Sequence, residues 1–99
     1  MVDPAQRDWV GPVLQRGPLT DAVVECLLEA NPGAVLVDRG AYLRVLAPSA
    51  CVLPRAAVER KTGRPFRLPV DLELMMSAFK GRLSVTEDAA TWALGVDGR

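Results

Sequence analysis

Residues 63–82 read Gly-Arg-Pro-Phe-Arg-Leu-Pro-Val-Asp-Leu-Glu-Leu-Met-Met-Ser-Ala-Phe-Lys-Gly-Arg, and three local signals for secondary structure meet in them. Gly63 is typical of the residue just past a helix end, because glycine adopts a left-handed backbone without a steric penalty. Pro69 suits the first position of a second short helix. From Ser77 the pattern alternates with a period of two, which predicts one long, half-buried strand as far as Val85. The two faces of this strand are predicted to carry Ser77, Phe79, Gly81, Leu83 and Val85 on one side and Ala78, Lys80, Arg82 and Ser84 on the other.

Upstream of this stretch, the chain begins with a predicted strand and a helix. The strand runs from Trp9 to Leu14, and its first residue is predicted to be a core aromatic, with an exposed partner contact as the alternative. Gly11 and Pro12 interrupt its apolar run, which favours a weak or edge strand over a central one. Thr20 is a candidate N-cap for a helix that continues to Ala30.

A strong turn signal follows this helix, and most of the remaining chain has a strand-like pattern. Asn31-Pro32-Gly33 predicts the turn, and the runs 34–38 and 42–47 predict a hairpin. Residues 51–53 form a short predicted strand, and a short helix starts at Arg55. A closing strand is predicted for residues 90–94, with Trp92 in the core.

This order of elements predicts an α+β fold with a mixed or antiparallel sheet and helices packed on it. It can be written β-α-β-β-(β)-α-α-β-β. Residues 9–95 are predicted to form one domain, because 99 residues suffice for one modest core. Residues 1–8 are expected to be a flexible tail and residues 96–99 a frayed end.

Composition excludes several classes of partner. Lysine plus arginine and aspartate plus glutamate number 12 each, so no net field favours nucleic acid. No segment approaches the ~20 apolar residues of a membrane span, and we expect a cytoplasmic protein. The only cysteines, Cys26 and Cys51, are predicted to be buried thiols; a disulfide between them is the alternative.

The residues of most catalytic and cofactor sites are missing from the sequence. There is no histidine, the usual general base and metal ligand, and two cysteines cannot hold an iron-sulfur cluster with four thiolates. No phosphate-binding glycine loop is present. We therefore predict no catalytic, cofactor or metal site, although catalysis by a cysteine or carboxylate remains formally open.

Several short motifs together resemble the effector proteins, also called coupling or regulatory proteins, of bacterial soluble diiron monooxygenases. They are Gly-Arg-Pro-Phe at 63–66, Asp-Leu-Glu at 71–73 and Ser-Ala-Phe-Lys-Gly at 77–81. Upstream, the resemblance includes Val10-Gly11-Pro12, Asn31-Pro32-Gly33, Val37-Asp38-Arg39 and Ala41-Tyr42-Leu43-Arg44. It covers roughly residues 9 to 94, in order, and is greater to the short aromatic and alkene type than to the longer methane type. It implies two strand-helix-strand units with some likeness to the ferredoxin fold.

The resemblance also implies a function. Such effectors carry no cofactor, bind the diiron hydroxylase, and adjust oxygen activation, substrate access and the coupling of electron delivery to hydroxylation. Functional partners would be a reductase and, in some systems, a Rieske ferredoxin, and the free protein would be a monomer. A small α+β module that binds a metabolite, or self-associates through a sheet edge, is the alternative from another class.

Candidate contact residues for the hydroxylase follow from the resemblance and from exposure patterns. First come Ser77, Ala78 and Phe79, matching a small-residue stretch at the interface of methane-type relatives; whether Phe79 faces the partner or the core is left open. Second come Glu25 and Glu29, in a helical row of like charges with Asp21 and without basic partners in register. The remaining candidates are the turn Asn31, Pro32 and Gly33 and the rim cations Arg39, Lys80 and Arg82.

Overall fold

The computed structural model describes residues 8–94, which form seven strands and three helices. In chain order the elements are β1 (Trp9–Gln15), α1 (Thr20–Ala30), β2 (Val35–Asp38), β3 (Tyr42–Pro48), β4 (Ala50–Pro54), α2 (Arg55–Thr62), α3 (Val70–Glu73), β5 (Met76–Lys80), β6 (Arg82–Val85) and β7 (Ala89–Ala93). The predicted α+β class and the order of elements are confirmed, with one strand more than expected. Most of the predicted tail and all of the frayed end lie outside the described residues.

The strands form two sheets instead of one. The first has the order β2-β3-β1-β5 and the second the order β4-β7-β6, and every pairing is antiparallel. In the first sheet β3 lies between β1 and β2, which α1 connects, so this part is a split β-α-β unit like that of ferredoxin-like folds. The second sheet, β4-β7-β6, is an addition to this ferredoxin-like unit.

The long strand predicted from Ser77 to Val85 is wrong, because the chain changes sheets at Gly81. Gly81 has a φ of +105°, and a Cβ there would lie 2.7 Å from Val10 Cγ1 and 2.8 Å from the carbonyl oxygen of Ala93. Only glycine permits this close approach, which places β5 and β6 in different sheets. The predicted alternation of buried and exposed residues holds in β6 and fails in β5.

β1 is a central strand, which corrects the prediction of an edge strand. It pairs with β3 on one side and β5 on the other. Gly11 favoured an edge strand in the sequence, but the central position of β1 requires a glycine there. A Cβ on Gly11 would lie 2.0 Å from the carbonyl oxygen of Val45 in β3. Trp9, predicted to be in the core, is half-buried and does not belong to the core cluster.

The two helix ends predicted from single residues have different outcomes. Gly63 ends α2 with a φ of +71°, and its N–H donates to the carbonyl of Glu59, as expected for a glycine past a helix end. Thr20 is not the N-cap of α1: it is the first helical residue, and its hydroxyl donates to the carbonyl oxygen of Gln15 at 2.7 Å. That bond ties the start of α1 to the end of β1.

One core joins the helices to the sheets. It contains Val10 and Leu14 of β1, Leu43, Val45 and Ala47 of β3, Cys51 and Leu53 of β4, Ala90 and Trp92 of β7, the buried apolar residues of all three helices, and Phe66. Both cysteines are buried free thiols, as predicted, and burial raises the pKa of Cys51 to about 11. Within residues 8–94, no helix is both long and apolar enough to cross a membrane.

Candidate functional site

The first group of candidate contact residues lies on β5, at the edge of the first sheet. Ser77, Ala78 and Phe79 are all exposed, so three consecutive side chains of one strand are open to solvent. Phe79 is 45% exposed and does not belong to the core cluster, so its ring is available to a partner. A large aromatic residue at this exposure is the type of side chain that protein interfaces use as a contact.

A bulge at Ser77 and the position of β5 at the edge of the sheet together account for three exposed residues in a row. Ala78 pairs with Val13 and Met76 pairs with Leu14, so Ser77 has no partner on β1 and the register shifts there. A bulge adds one unpaired residue, increases the local twist and redirects neighbouring side chains. The exposed run therefore depends on the backbone and not on a periodic pattern in the sequence.

The acidic row on α1 has no basic partner on its own helix, as the sequence indicated, but it has one on the neighbouring helix. Lys61 of α2 places its Nζ 3.3 Å from Glu25 Oε1 and 3.1 Å from Glu29 Oε2. These hydrogen bonds, first that of Glu29 and then that of Glu25, raise the pKa of Lys61. Both glutamates remain mostly exposed, so the row is a solvated surface whose charge the neighbouring helix partly neutralises.

The turn after α1 divides into a structural residue and two exposed ones. Asn31 is 8% exposed; its Nδ2 donates to the carbonyls of Leu27 and Val52, and its Oδ1 accepts the N–H of Val52, all at 2.8 to 2.9 Å. Its amide therefore joins α1 to β4 and is used within the fold. Pro32 and Gly33 are exposed.

The three rim cations lie on different elements. Arg39 is exposed in the β2–β3 turn, whereas Lys80 and Arg82 stand on either side of Gly81, half-buried and exposed respectively. Ser77, Ala78, Phe79 and Lys80 thus lie on β5, whereas Arg82 begins β6 in the second sheet. The α1 and β2–β3 turn candidates belong to other elements.

A polar network around Arg55 was not predicted, although it holds the Gly63–Phe66 turn. Arg55 donates from Nε to the carbonyl of Glu87 and from Nη1 to Glu59 Oε1, and Nη2 lies 3.4 Å from Asp88 Oδ1. The second oxygen of Glu59 accepts the N–H of Phe66 at 2.9 Å. This backbone hydrogen bond, together with Arg55, lowers the pKa of Glu59. Only the Arg55-to-Glu59 spacing of four residues was visible in the sequence.

A groove of about 480 Å³ lies between the β1–α1 connection, the end of α2 and the end of α3. Some of its polar groups have partners: Arg16 donates to Asp38 and to the carbonyl of Gly40, and Asp71 accepts from the backbone and side chain of Arg67. Within residues 8–94, the exposed side chains of Gln15 and Arg64 form no hydrogen bond. In the part of the chain that the structure describes, no cluster of three metal-ligating side chains is found. The two free side chains are exposed, so the groove lacks the several convergent polar groups that a specific ligand site needs.

Comparison with known proteins gives a consistent result. Residues 8–93 match the model of the MmoB/DmpM family. The effector subunit of the alkene monooxygenase system of Xanthobacter autotrophicus is 39% identical over 93 residues, which span 92% of this chain and 91% of that protein.

Solved structures show the same fold. A chain of a phenol hydroxylase-regulatory protein complex aligns with a TM-score of 0.81 at 22% identity, covering 88% of this chain and 99% of that one. A second such complex gives 0.74 at 26% identity, over 86% and 98% of the two chains. The soluble methane monooxygenase regulatory protein B gives 0.69 at 21% identity, over 90% of this chain and 67% of that one. The chain therefore belongs to the MmoB/DmpM family and is a non-catalytic, effector-type component of a monooxygenase.

Proposed function

We propose that this protein binds the hydroxylase of a multicomponent diiron monooxygenase and modulates oxygen activation, substrate access and the coupling of electron transfer to hydroxylation. Family membership over residues 8–93 carries the proposal. The relative from Xanthobacter autotrophicus is an alkene monooxygenase effector subunit, and the structural relatives include regulatory proteins in complex with phenol hydroxylase. A reductase and, in some systems, a Rieske ferredoxin supply electrons to the same complex, which we expect to be cytoplasmic.

The mechanism we propose is a shift of the hydroxylase between conformations. An effector without a reacting group changes a rate only by binding one conformation of its partner more tightly than another. The size of the effect is limited by that difference in affinity. A tenfold shift in the hydroxylase equilibrium needs about 1.4 kcal/mol of differential binding, which a few well-placed contacts supply.

The contact surface we propose starts at β5. Phe79 supplies an exposed aromatic face, Ser77 and Ala78 permit close approach of a partner, and Arg82 adds charge at the rim. β5 pairs with β1, and the change of sheet at Gly81 fixes the end of β5. The backbone therefore holds these side chains in fixed positions. Glu25, Glu29, Pro32, Gly33 and Arg39 remain secondary candidates.

The experiment is a titration of the purified cognate hydroxylase and its electron-transfer proteins with this protein. We expect a saturable rise in turnover, or in product formed per reduced nicotinamide consumed, and no activity from this protein alone. If the ring of Phe79 is buried at the interface, Phe79→Ala should lower the affinity and raise the concentration needed for half-maximal stimulation roughly tenfold. Val70→Ala, which truncates a comparably exposed apolar residue on α3, is the matched control. A flat titration with folded wild-type protein would reject the proposal.

A further inference from the structure

The first sheet has two faces with different neighbours. Along β3, Leu43, Val45 and Ala47 point into the core, so the alternate residues Arg44 and Leu46 point to the opposite side. The pairing registers extend this second side across the sheet: Arg44 lies opposite Val13 of β1 and Val37 of β2, and Leu46 lies opposite Val35. We call Trp9, Val13, Val35, Val37, Arg44 and Leu46 the outer face.

The outer face forms an apolar surface that is separate from the core. None of its residues belongs to the core cluster or to the partly buried residues packed on it, whereas the buried apolar residues of α1, α2 and α3 all belong there. Leu46 is only 3% exposed, and the surrounding valines and Trp9 are half-buried. The half-buried apolar residues around Leu46 remain partly open to solvent, and partly open apolar surface is a feature of interaction sites on small proteins.

Arg44 is the one charged residue of this face, and its bonding is incomplete. Its Nε is buried and has no hydrogen-bond partner. Among residues 8–94, no acceptor forms a hydrogen bond or an ion pair with it, although four other cationic side chains do so with their neighbours: Arg16, Arg55, Lys61 and Arg67. Buried donors without acceptors are uncommon in folded proteins, and a guanidinium is suited to a carboxylate.

We propose that the outer face binds the hydroxylase and that Arg44 pairs there with a carboxylate of the hydroxylase. This inference rests on the proposed function and adds to it the surface and the charge that recognise the partner. The outer face continues onto β5 at Ala78, which lies opposite Val13, whereas Phe79 lies opposite Pro12 on the other side of this edge strand. The matching hydroxylase surface is apolar and carries an acidic residue near its centre.

Charge argues for a different protein as the occupant, and not for a second copy of this chain. A twofold contact through the outer face would use the same patch on both copies and bring Arg44 near its own equivalent. Like charges meeting at an interface oppose association. The acidic row of this protein, Glu25 and Glu29, stands on α1, whose buried side faces the core on the other face of the sheet, so it cannot neutralise Arg44 in such a dimer.

The test measures hydroxylase binding by Arg44→Met, which keeps most of the apolar stem and removes the charge. We expect the dissociation constant to rise roughly 30-fold or more, because truncating one partner of a buried charge pair leaves the other unpaired. The thermal midpoint of the free variant should equal or exceed that of the wild type, because an unsatisfied buried donor is removed. Arg60→Met, on the exposed surface of α2, is the matched control and should bind like the wild type.

The outcomes separate this inference from the proposed function. If the wild type binds and stimulates the hydroxylase but Arg44→Met binds equally well, or Arg60→Met weakens binding as much, the outer face is not the contact and the inference is wrong. If the wild type neither binds nor stimulates, the proposed function fails and this inference fails with it. Should Arg44→Met not fold, Arg44→Gln keeps a polar side chain and removes the charge, and unchanged binding by that variant would overturn the pairing.

Discussion

The two faces of the first sheet are built from alternate residues of the same strands and have different surroundings. On β3, Leu43 and Val45 are at most 3% exposed and pack against helices, whereas Arg44 between them carries an unpaired buried donor. The core face carries the residues packed against the helices, whereas the outer face carries half-buried apolar residues and an arginine that has no acceptor among residues 8–94. Neighbouring residues should therefore differ in what their substitution damages, either stability or hydroxylase binding.

The largest effect is expected where β1 and β3 approach most closely. Gly11→Ala would place a Cβ 2.0 Å from the carbonyl oxygen of Val45, and no change of rotamer relieves a clash with backbone. We expect a loss of about 4 kcal/mol or more in the free energy of unfolding, or failure to fold, as measured by urea denaturation. Gly40→Ala is the control: it has a positive φ but no atom within 4 Å, so only about 1 to 2 kcal/mol of backbone strain is expected. Equal losses in the two variants would contradict the close approach.

A pair of adjacent substitutions on β1 compares the two faces most closely. Leu14→Ala removes a side chain that is 0% exposed in the core and should cost about 2 to 5 kcal/mol of unfolding free energy. Val13→Ala, on the half-buried outer face, should cost about 1 kcal/mol or less but weaken hydroxylase binding. Denaturation curves and binding titrations of both variants test this. Equal destabilisation would show that the outer face belongs to the core.

The pH dependence of stability tests the network at the Gly63–Phe66 turn. The Phe66 N–H and Arg55 lower the pKa of Glu59 in the folded protein from its ordinary value of 4.5. Glu59 therefore contributes stability above pH 4.5, and this contribution disappears as the pH falls through the lowered pKa of the folded state. Glu59→Gln should be less stable than the wild type at neutral pH, and the difference should shrink on acidification. A difference independent of pH, measured by denaturation at several pH values, would contradict this.

The smallest effect is expected at Lys61 of α2. It lies on the helical side of the protein, by which we mean the side of the first sheet that the helices cover. Its pairs with Glu25 and Glu29 are exposed, and exposed pairs contribute little to stability. Lys61→Met should lower the thermal midpoint only slightly, and the difference from the wild type should be smaller still at high salt. Stimulation of the hydroxylase should be unchanged. If stimulation changes markedly, the acidic row would be part of the contact surface, and the division between the two faces would need revision.

The sequence was sufficient to predict features that depend on neighbouring residues. The end of α2 at Gly63, the β2–β3 hairpin and the burial of Trp92 and both cysteines follow from local patterns, and all are observed. These features need only information from within a few residues. The α+β class followed from their order.

The features that were not predicted depend on residues far apart in the chain. Gly81 appeared as one position in a long strand, but its geometry is set by Val10 and Ala93, which no local pattern connects to it. Lys61 is 32 residues from Glu29, so its pairing with the acidic row becomes visible only when α1 and α2 pack together.

For the candidate site, the sequence identified Ser77 to Phe79 but not the reason for their exposure, which is a bulge against β1 in a strand at the edge of the sheet. The role of Arg44 was also not predicted. On the sequence it is one arginine in a strand-like run, and only the register across three strands places it among Val13, Val37 and the other residues of the outer face.

The most direct test of the division between the two faces is methyl cross-saturation in the complex. The protein would be deuterated with protonated valine and leucine methyl groups, and the protons of the bound hydroxylase would be irradiated. We predict intensity loss at the methyls of Val13 and Val37 on the outer face and none at Leu28 of α1. Loss at Leu28 with unchanged signals at Val13 and Val37 would contradict the account, because the hydroxylase would then bind the helical side.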